Sequence, residues 1–258
     1  MIRSLLSEPL TRGLDLDDPK TTVLRREIVK KKPFLNRIYE EWYATLAEEL
    51  LKSQRPDSGA IVEIGSGPGF LEESVPDIVK TEIFHLTNVD AVVDATAMPF
   101  SSNSLSAIVM TDVFHHIPKV EDFLVEADRC IEPGGRLVMI EPWKTGWSEL
   151  IYNNLHHEPF EPDSGWELDA SRPLSDANGA LPWIVFRRDA ARFEGLLPNW
   201  KLEKIQPFMP LAYLLSGGLS MRSLMPGFMY DPIRKVEEAL NQDRWAMFAF
   251  IVVRKLDH

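Results

Sequence analysis

Apolar residues recur along this chain in two rhythms. In "PFLNRIYEEWYATLAEELLK", Pro33 to Lys52, they fall at Leu35, Ile38, Trp42, Leu46 and Leu50, steps of three and four that put them on one face of a helix. Pro33 suits the first turn, where its missing N–H breaks no bond. The second rhythm is a series of short, nearly continuous apolar runs: "AIVEIG", "KTEIF", "AVVDAT", "LSAIVMTD", "RLVMIEP" and, near the end, "RWAMFAFIVVRKL". Runs of this length read as buried strands. Between them, "FLEESVPDIVK" has room only for a short helix before or around Pro76. "VEDFLVEADRCI" puts Val120, Phe123, Leu124, Ala127 and Ile131 on one helical face, and "EPGG" ends it. Strands alternating with helices predict a parallel sheet covered on both faces, with any ligand beyond the carboxyl ends of the strands.

Composition narrows the class without changing that architecture. The 258 residues are 45% hydrophobic and 26% charged, with no low-complexity tract, no fixed repeat and no apolar run of about 18 residues. Disorder, solenoids and membrane spans are therefore not expected. "MIRSLLSEPLTRGLDLDD" lacks a sustained apolar segment, so no secretory signal is read and a cytoplasmic location is expected. The single cysteine, Cys130, fits a reducing compartment and reads as a buried apolar residue. A net charge of −11 argues against nucleic acid and anionic lipid as partners. One local exception is the stretch from Lys20 to Arg37, with seven basic residues against Glu27 alone. It reads as a solvated helix face, or as the surface for a phosphate- or carboxylate-bearing partner.

The candidate chemistry begins at "IVEIGSGPGF", Ile61 to Phe70, where three glycines fill alternate positions of five behind a strand. A dinucleotide fingerprint is G-x-G-x-x-G, and the third glycine here comes one residue early. Charge also speaks against a pyrophosphate. From Pro56 to Pro118 the only cation among Lys and Arg is Lys80, facing nine Asp and Glu residues. S-adenosylmethionine carries a sulfonium and an ammonium and no phosphate, so acidic surroundings suit it.

Three stretches then carry a resemblance: "VEIGSGPG" (Val62 to Gly69), "VVDATAMPFSSNSLSAIVMTDVFHHI" (Val92 to Ile117) and "EPGGRLVMIEP" (Glu132 to Pro142). Together they resemble the class I S-adenosylmethionine-dependent methyltransferases, in particular the small-molecule type containing the ubiquinone and menaquinone C-methylases. The resemblance covers about 80 residues in three motifs of the expected order. It implies an α/β, Rossmann-like, seven-stranded, mostly parallel sheet with its last strand antiparallel, and S-adenosylmethionine as cofactor. By the same resemblance Glu63, Gly65, Ser66, Gly67 and Gly69 would cradle the methionine part, and Glu82 at the end of the second strand would pair with the ribose hydroxyls. Asp90 is the rival for that role, because only "HLTN" separates the two strands and the usual helix between them is lost. Asp94 and Ala95 match the adenine contact, and Thr111 and Asp112 end the fourth strand beside the cofactor. Tyr39 and Tyr43 are candidates to cover it from the N-terminal helix.

Methyl transfer from a sulfonium is an in-line displacement with no obligatory base. His115 and His116 are the catalytic candidates, as groups able to take a proton from an O- or N-nucleophile or to orient it. No metal is expected, because adjacent histidines on an extended chain point to opposite sides and no third ligand is near; His156 and His157 would have to fold back. One domain is expected, comprising a helical cap (1–55), the cofactor-binding core (56–142), an inserted lid that includes part of the core (143–230), and a last helix and strand (231–258). Met-rich and aromatic residues in 143–230, with Gly217-Gly218 as a hinge, suit an apolar or aromatic small-molecule acceptor. Shallow contact with a membrane surface is compatible with them and a span is not. The oligomeric state is not legible. The expected activity is methyl transfer; the alternative is a non-catalytic, cofactor-binding assembly or regulatory protein.

Overall fold

The computed structural model describes residue 8 and residues 18–52, 54, 57–156, 158–168 and 176–257. His157 and most of the N-terminal segment read above for a signal lie outside the described residues.

Two helices lead in. Helix α1 (Pro19–Lys31) is capped by the Asp18 side chain, which accepts from the Lys20 N–H, and α2 (Pro33–Leu51) starts at its proline. The face read from the spacing of α2 is buried, and Phe34, Tyr39 and Tyr43 are buried with it. Trp42 stacks on Tyr213 with ring centroids 5.8 Å apart. The basic stretch around these helices is spent largely on internal ion pairs. Arg26 reaches Glu72, Lys30 reaches Glu73, Lys31 reaches Glu27 and Arg37 reaches Asp231.

The sheet strands are β1 (Ala60–Glu63), β2 (Val79–Glu82), β3 (Ala91–Val92), β4 (Leu105–Thr111), β5 (Ile131–Pro142), β6 (Trp200–Phe208) and β7 (Phe248–Lys255). Their order is β3-β2-β1-β4-β5-β7-β6. Strands β1 to β5 pair in parallel, and β7 runs antiparallel to both β5 and β6. The expected fold class is therefore observed. Central β4 has six of its seven residues buried, as a strand covered on both faces must.

Helix α3 (Val120–Cys130) buries Val120, Phe123, Leu124, Ala127 and Cys130. The helix ends at Cys130, just before "EPGG", but the strand expected at "RLVMIEP" starts earlier: β5 begins at Ile131, and the register against β4 shifts there between Leu105 and Ala107. Gly134, at φ +83°, absorbs the extra residues as a bulge. "FLEESVPDIVK" yields only a 3-10 turn, Leu71–Glu73, and no helix separates β2 from β3.

The segment 143–230 divides in three. Helix α4 (Gly146–Leu155) follows β5, opening with a reciprocal Thr145–Ser148 cap. The middle is core and sheet: a helical stretch Leu181–Trp183 runs into a wider turn, Ile184–Arg188, then α5 (Ala190–Leu196) and β6, with Leu181, Ile184, Phe186 and Phe193 buried. Helix α6 (Ala212–Ser216) and the loop after it lie over the carboxyl ends of the strands, and α7 (Tyr230–Glu238) leads toward β7. The buried Lys32 donates to the carbonyls of Gly218 (3.0 Å) and Met221 (2.5 Å) and so ties the Gly217-Gly218 bend to the start of α2. No helix among the described residues is long and apolar enough to cross a membrane.

Candidate functional site

A cavity of about 540 Å³ lies where the fold puts it, beyond the carboxyl ends of β1, β2 and β4. Its floor is the glycine turn after β1. That turn is pinned by backbone bonds from Ile64 N–H to the Val109 carbonyl (3.0 Å) and from Ser66 N–H to the Thr81 carbonyl (2.9 Å). Gly65 (φ +67°) and Gly67 (φ +44°) both occupy the left-handed region and both line the cavity. A Cβ on Gly65 would strike the Val113 side chain at 2.7 Å, whereas one on Gly67 would meet nothing nearer than 3.6 Å. Gly67 is thus open toward the cavity. Gly69 is different: a Cβ there would lie 2.4 Å from the Tyr43 hydroxyl and 2.9 Å from the Ser66 carbonyl. Neither Gly69 nor Ser66 lines the cavity; with Tyr43, whose hydroxyl accepts from Phe70 N–H at 3.3 Å, they hold the turn from behind. Tyr39 does line the cavity, and burial pushes its phenol pKa up.

The acids sort by the same test. Glu82 lines the cavity, its Oε2 accepting from Gly67 N–H (3.0 Å) and its Oε1 from Ile83 N–H (2.9 Å). Burial raises its pKa, and those two bonds oppose the shift. The rival Asp90 does not line it: its Oδ2 accepts from Lys80 N–H at 2.8 Å, at the outer end of the β2–β3 connection. Asp94, Ala95, Thr111 and Asp112 all line the cavity. Asp94 Oδ1 accepts from the N–H and hydroxyl of Thr96, closing a tight turn. Thr111 Oγ1 is buried with no hydrogen-bond partner among the described residues. Asp112 sits at φ +60°, sparsely populated for a non-glycine residue and a frequent mark of a functional turn. Its side chain keeps 29% of its surface exposed, toward the cavity, yet burial pushes its pKa to about 7. Glu63 is buried behind the turn, outside the lining, with a pKa of about 7 caused first by burial.

The histidines do not face opposite ways. They lie on a 3-10 turn, Phe114–His116, not an extended chain, and their ring centroids are 4.2 Å apart. His115 is buried and outside the lining, with Nδ1 2.8 Å from Glu141 Oε2 and Nε2 3.4 Å from Glu158 Oε2. Burial works against its charge, but the bonds to Glu141 and Glu158 outweigh it and hold its pKa well above the ordinary value. His116 faces the cavity, and burial, then the charge of His115, push its pKa down to about 4. Glu158 is held well below the usual carboxylate range: burial opposes this, but the bond from His115 and the charges of His116, His115 and His156 prevail. His156 lines the cavity, its Nδ1 accepting from the Glu158 N–H at 3.3 Å and lying 3.7 Å from Glu158 Oε2.

Sequence reasoning missed Glu141, Glu158 and Arg25. Glu141 stood inside a quoted motif, and Glu158 beside two histidines in "HHEPFEP", so proximity to titratable neighbours was the available signal. Arg25 lines the cavity from α1 and was one of several indistinguishable cations in the basic stretch.

Residues 62–139 match the family described as Methyltransferase domain. The ubiquinone/menaquinone biosynthesis C-methyltransferase UbiE of Cereibacter sphaeroides is 40% identical over 48 residues, 19% of each chain. The match thus spans about a fifth of that curated relative's length. Two solved structures share the fold over nearly the whole chain. One is the geranyl diphosphate C-methyltransferase of Streptomyces coelicolor, in complex with magnesium, geranyl diphosphate and S-adenosyl-L-homocysteine (TM-score 0.50, 14% identity, 97% of this chain and 92% of that one). The other is a chain from the complex between the Haloferax volcanii Trm112 methyltransferase activator and a methyltransferase (TM-score 0.53, 11% identity, 95% and 99%).

Proposed function

We propose that this chain, which belongs through residues 62–139 to the class I small-molecule methyltransferases, transfers a methyl group from S-adenosylmethionine to a small apolar or aromatic acceptor. One observation carries the reading: an open glycine cradle at Gly67 faces a cavity that, among the described residues, bears four carboxylates, Glu82, Asp94, Asp112 and Glu158, against the single guanidinium of Arg25. That balance favours a cationic cofactor over a pyrophosphate. The residues present fit S-adenosylmethionine. The space over Gly67 suits close approach of its aminoacyl end, the Thr111 hydroxyl has a bond left to make, and Glu82 keeps acceptor capacity for the ribose. When bound, it supplies an electrophilic methyl on sulfur; the chain's part is to hold the acceptor in line and exclude water. The lining residues Ile151, Tyr152, Leu155, Leu214, Leu219 and Met221 are apolar or aromatic and suit such an acceptor. A cytoplasmic location belongs to the same reading.

Calorimetry with S-adenosylmethionine, S-adenosylhomocysteine, NAD and NADP tests the cofactor, and adenosylhomocysteine release on pools of small acceptors tests turnover. Binding of the first two alone, with turnover on an apolar pool, is expected. Equal or tighter binding of NAD overturns the proposal. Binding without turnover on any pool moves the chain to the non-catalytic class.

Two further outcomes follow from the acids. Glu82→Ala is expected to weaken cofactor binding by about 1.5–3 kcal/mol, since a charge-assisted bond and the Gly67 anchor go together. Asp90→Ala, outside the cavity, should change it by under about 0.5 kcal/mol; a reversed order in titration calorimetry would give the ribose to Asp90. For Glu63, a carboxyl pKa raised to about 7 means the free folded chain holds a proton that the unfolded chain releases near 4.5. Its contribution to stability is therefore full below about pH 4.5 and falls as pH rises toward 7. Asp112 lines the cavity and burial likewise raises its pKa to about 7; a cofactor cation beside it favours the ionised form, so affinity should rise from pH 6 to 8 with proton release. Calorimetry in buffers of different ionisation enthalpy reads that release, and Asp112→Asn should remove it.

A further inference from the structure

Beside the cavity two histidines and a glutamate bring their ligand atoms together. His115 Nε2 is 3.4 Å from Glu158 Oε2 and His116 Nε2 is 3.9 Å from Oε1. Ligand atoms of the three residues lie within 4.8 Å of one another. The remaining ring nitrogens are committed. His115 Nδ1 is bonded to Glu141 Oε2 at 2.8 Å, and His116 Nδ1 lies 3.3 Å from the Asp176 carbonyl. A carbonyl only accepts, so His116 carries its proton on Nδ1 and turns the Nε2 lone pair toward a carboxylate oxygen. Both can donate to one metal ion, and the His115 Nε2 proton that Glu158 accepts in the free chain leaves when an ion binds. Both separations also exceed the roughly 2.7–2.9 Å of a charge-assisted N–H···O bond. They approach the distance between neighbouring ligands on a tetrahedral ion, about 3.3 Å for bonds of roughly 2.0–2.1 Å.

We propose that His115, His116 and Glu158 bind a divalent transition-metal ion of the zinc class, with an open coordination position toward the cavity. Two imidazoles and one carboxylate, with no thiolate, are a donor set that zinc accepts and that calcium and magnesium do not favour. The surroundings match what ligating histidines need: each donates its other N–H, one to a carboxylate and one to a backbone carbonyl, which fixes tautomer and ring orientation. His156 Nδ1 accepts from the Glu158 N–H at 3.3 Å and stands outside the set. The alternative trio of Asp112, His115 and Glu141 is the weaker candidate. It would use the His115 Nδ1 already bonded to Glu141, whose other oxygen holds two backbone N–H groups. An ion at the first trio would offer its free position to an acceptor hydroxyl or carboxylate, favouring the ionised oxygen as Lewis acids do.

The full chain, freed of metal by dialysis against a chelator, is titrated with Zn²⁺ by calorimetry and with Co²⁺ by visible absorption, without cofactor or acceptor. One ion per chain, with a tetrahedral-type cobalt spectrum, is expected. His116→Ala and Glu158→Gln should each weaken binding by about 100-fold or more, beyond the loss usual for an outer-sphere partner. His85→Ala, on the exposed surface, should leave it unchanged. Circular dichroism checks that each variant folds, and His116→Ala decides the matter if Glu158→Gln does not. Absence of stoichiometric binding, or binding that survives both variants, overturns the proposal. The titration needs no S-adenosylmethionine, so its failure leaves the cofactor reading standing, and failure of that reading leaves this one.

Discussion

Gly67→Val is expected to abolish S-adenosylmethionine binding while the chain stays folded. Gly67 sits at φ +44° with its N–H held by Glu82 Oε2, and a Cβ there meets no protein atom nearer than 3.6 Å. A valine side chain therefore grows into the cavity and not into the core, and it takes the volume the cofactor needs. An affinity loss of at least about 100-fold, some 2.8 kcal/mol, is expected by calorimetry. The strained backbone angle adds a cost of about 1–3 kcal/mol to stability, so the melting temperature falls but far-ultraviolet circular dichroism is retained. Gly69→Val is the contrasting variant. There the added carbon would lie 2.4 Å from the Tyr43 hydroxyl, so the turn is forced off α2 and folding itself is damaged. Intact cofactor binding in Gly67→Val would remove the glycine turn from the cofactor site.

The two glycines mark where legibility in the sequence stops. Spacing identified the turn and its place behind a strand, but not which glycine opens to the ligand and which to Tyr43, because that depends on which side of the turn α2 packs. The fold was legible wherever burial on both faces wrote continuous apolar runs, as in "LSAIVMT", or where one face wrote a helical stripe, as in α2 and α3. Strand β6 was not read, since "WKLEKIQPF" mixes lysines and a glutamate into an edge strand that is mostly half-exposed. The irregular start of β5 was not legible, because the Pro and Gly of "EPGG" mark a helix end and a bulge alike. Of the stretch expected as a lid, Ile151, Tyr152, Leu155, His156, Glu158 and part of 213–221 reach the cavity, while Trp183 stands against Lys144, 5.0 Å from its ammonium, outside the lining. In the site, Glu82 and Asp94 could be placed because they end or follow strands in sequence. Glu141 and Glu158 were not, because their partners lie 26 and 43 positions away, at His115, and no local pattern records such a pairing.

Glu141→Ala should be the most destabilising single change in the site, by about 3–5 kcal/mol in denaturant unfolding. The carboxylate is fully buried, its Oε1 accepting from Val113 and Phe114 N–H, both at 2.8 Å, and its Oε2 bonded to His115 Nδ1. Truncation leaves two backbone donors and an imidazole without the partner that β5 supplied, each a desolvated polar group that water cannot easily reach. It also frees the segment 112–116 that sets His116 and Asp112 against the cavity with His115 behind them, so catalysis should fail along with stability. Glu141→Gln separates the two effects. Its amide oxygen can still accept both backbone N–H groups, limiting the stability loss to about 1–2 kcal/mol. Its NH₂, however, now donates to His115 Nδ1, which drives the histidine proton to Nε2. That tautomer points an N–H, not a lone pair, at Glu158, and so the folded Glu141→Gln chain should bind Zn²⁺ more weakly than wild type. A Gln variant as unstable as Ala would mean that the charge, more than the three bonds, holds this turn.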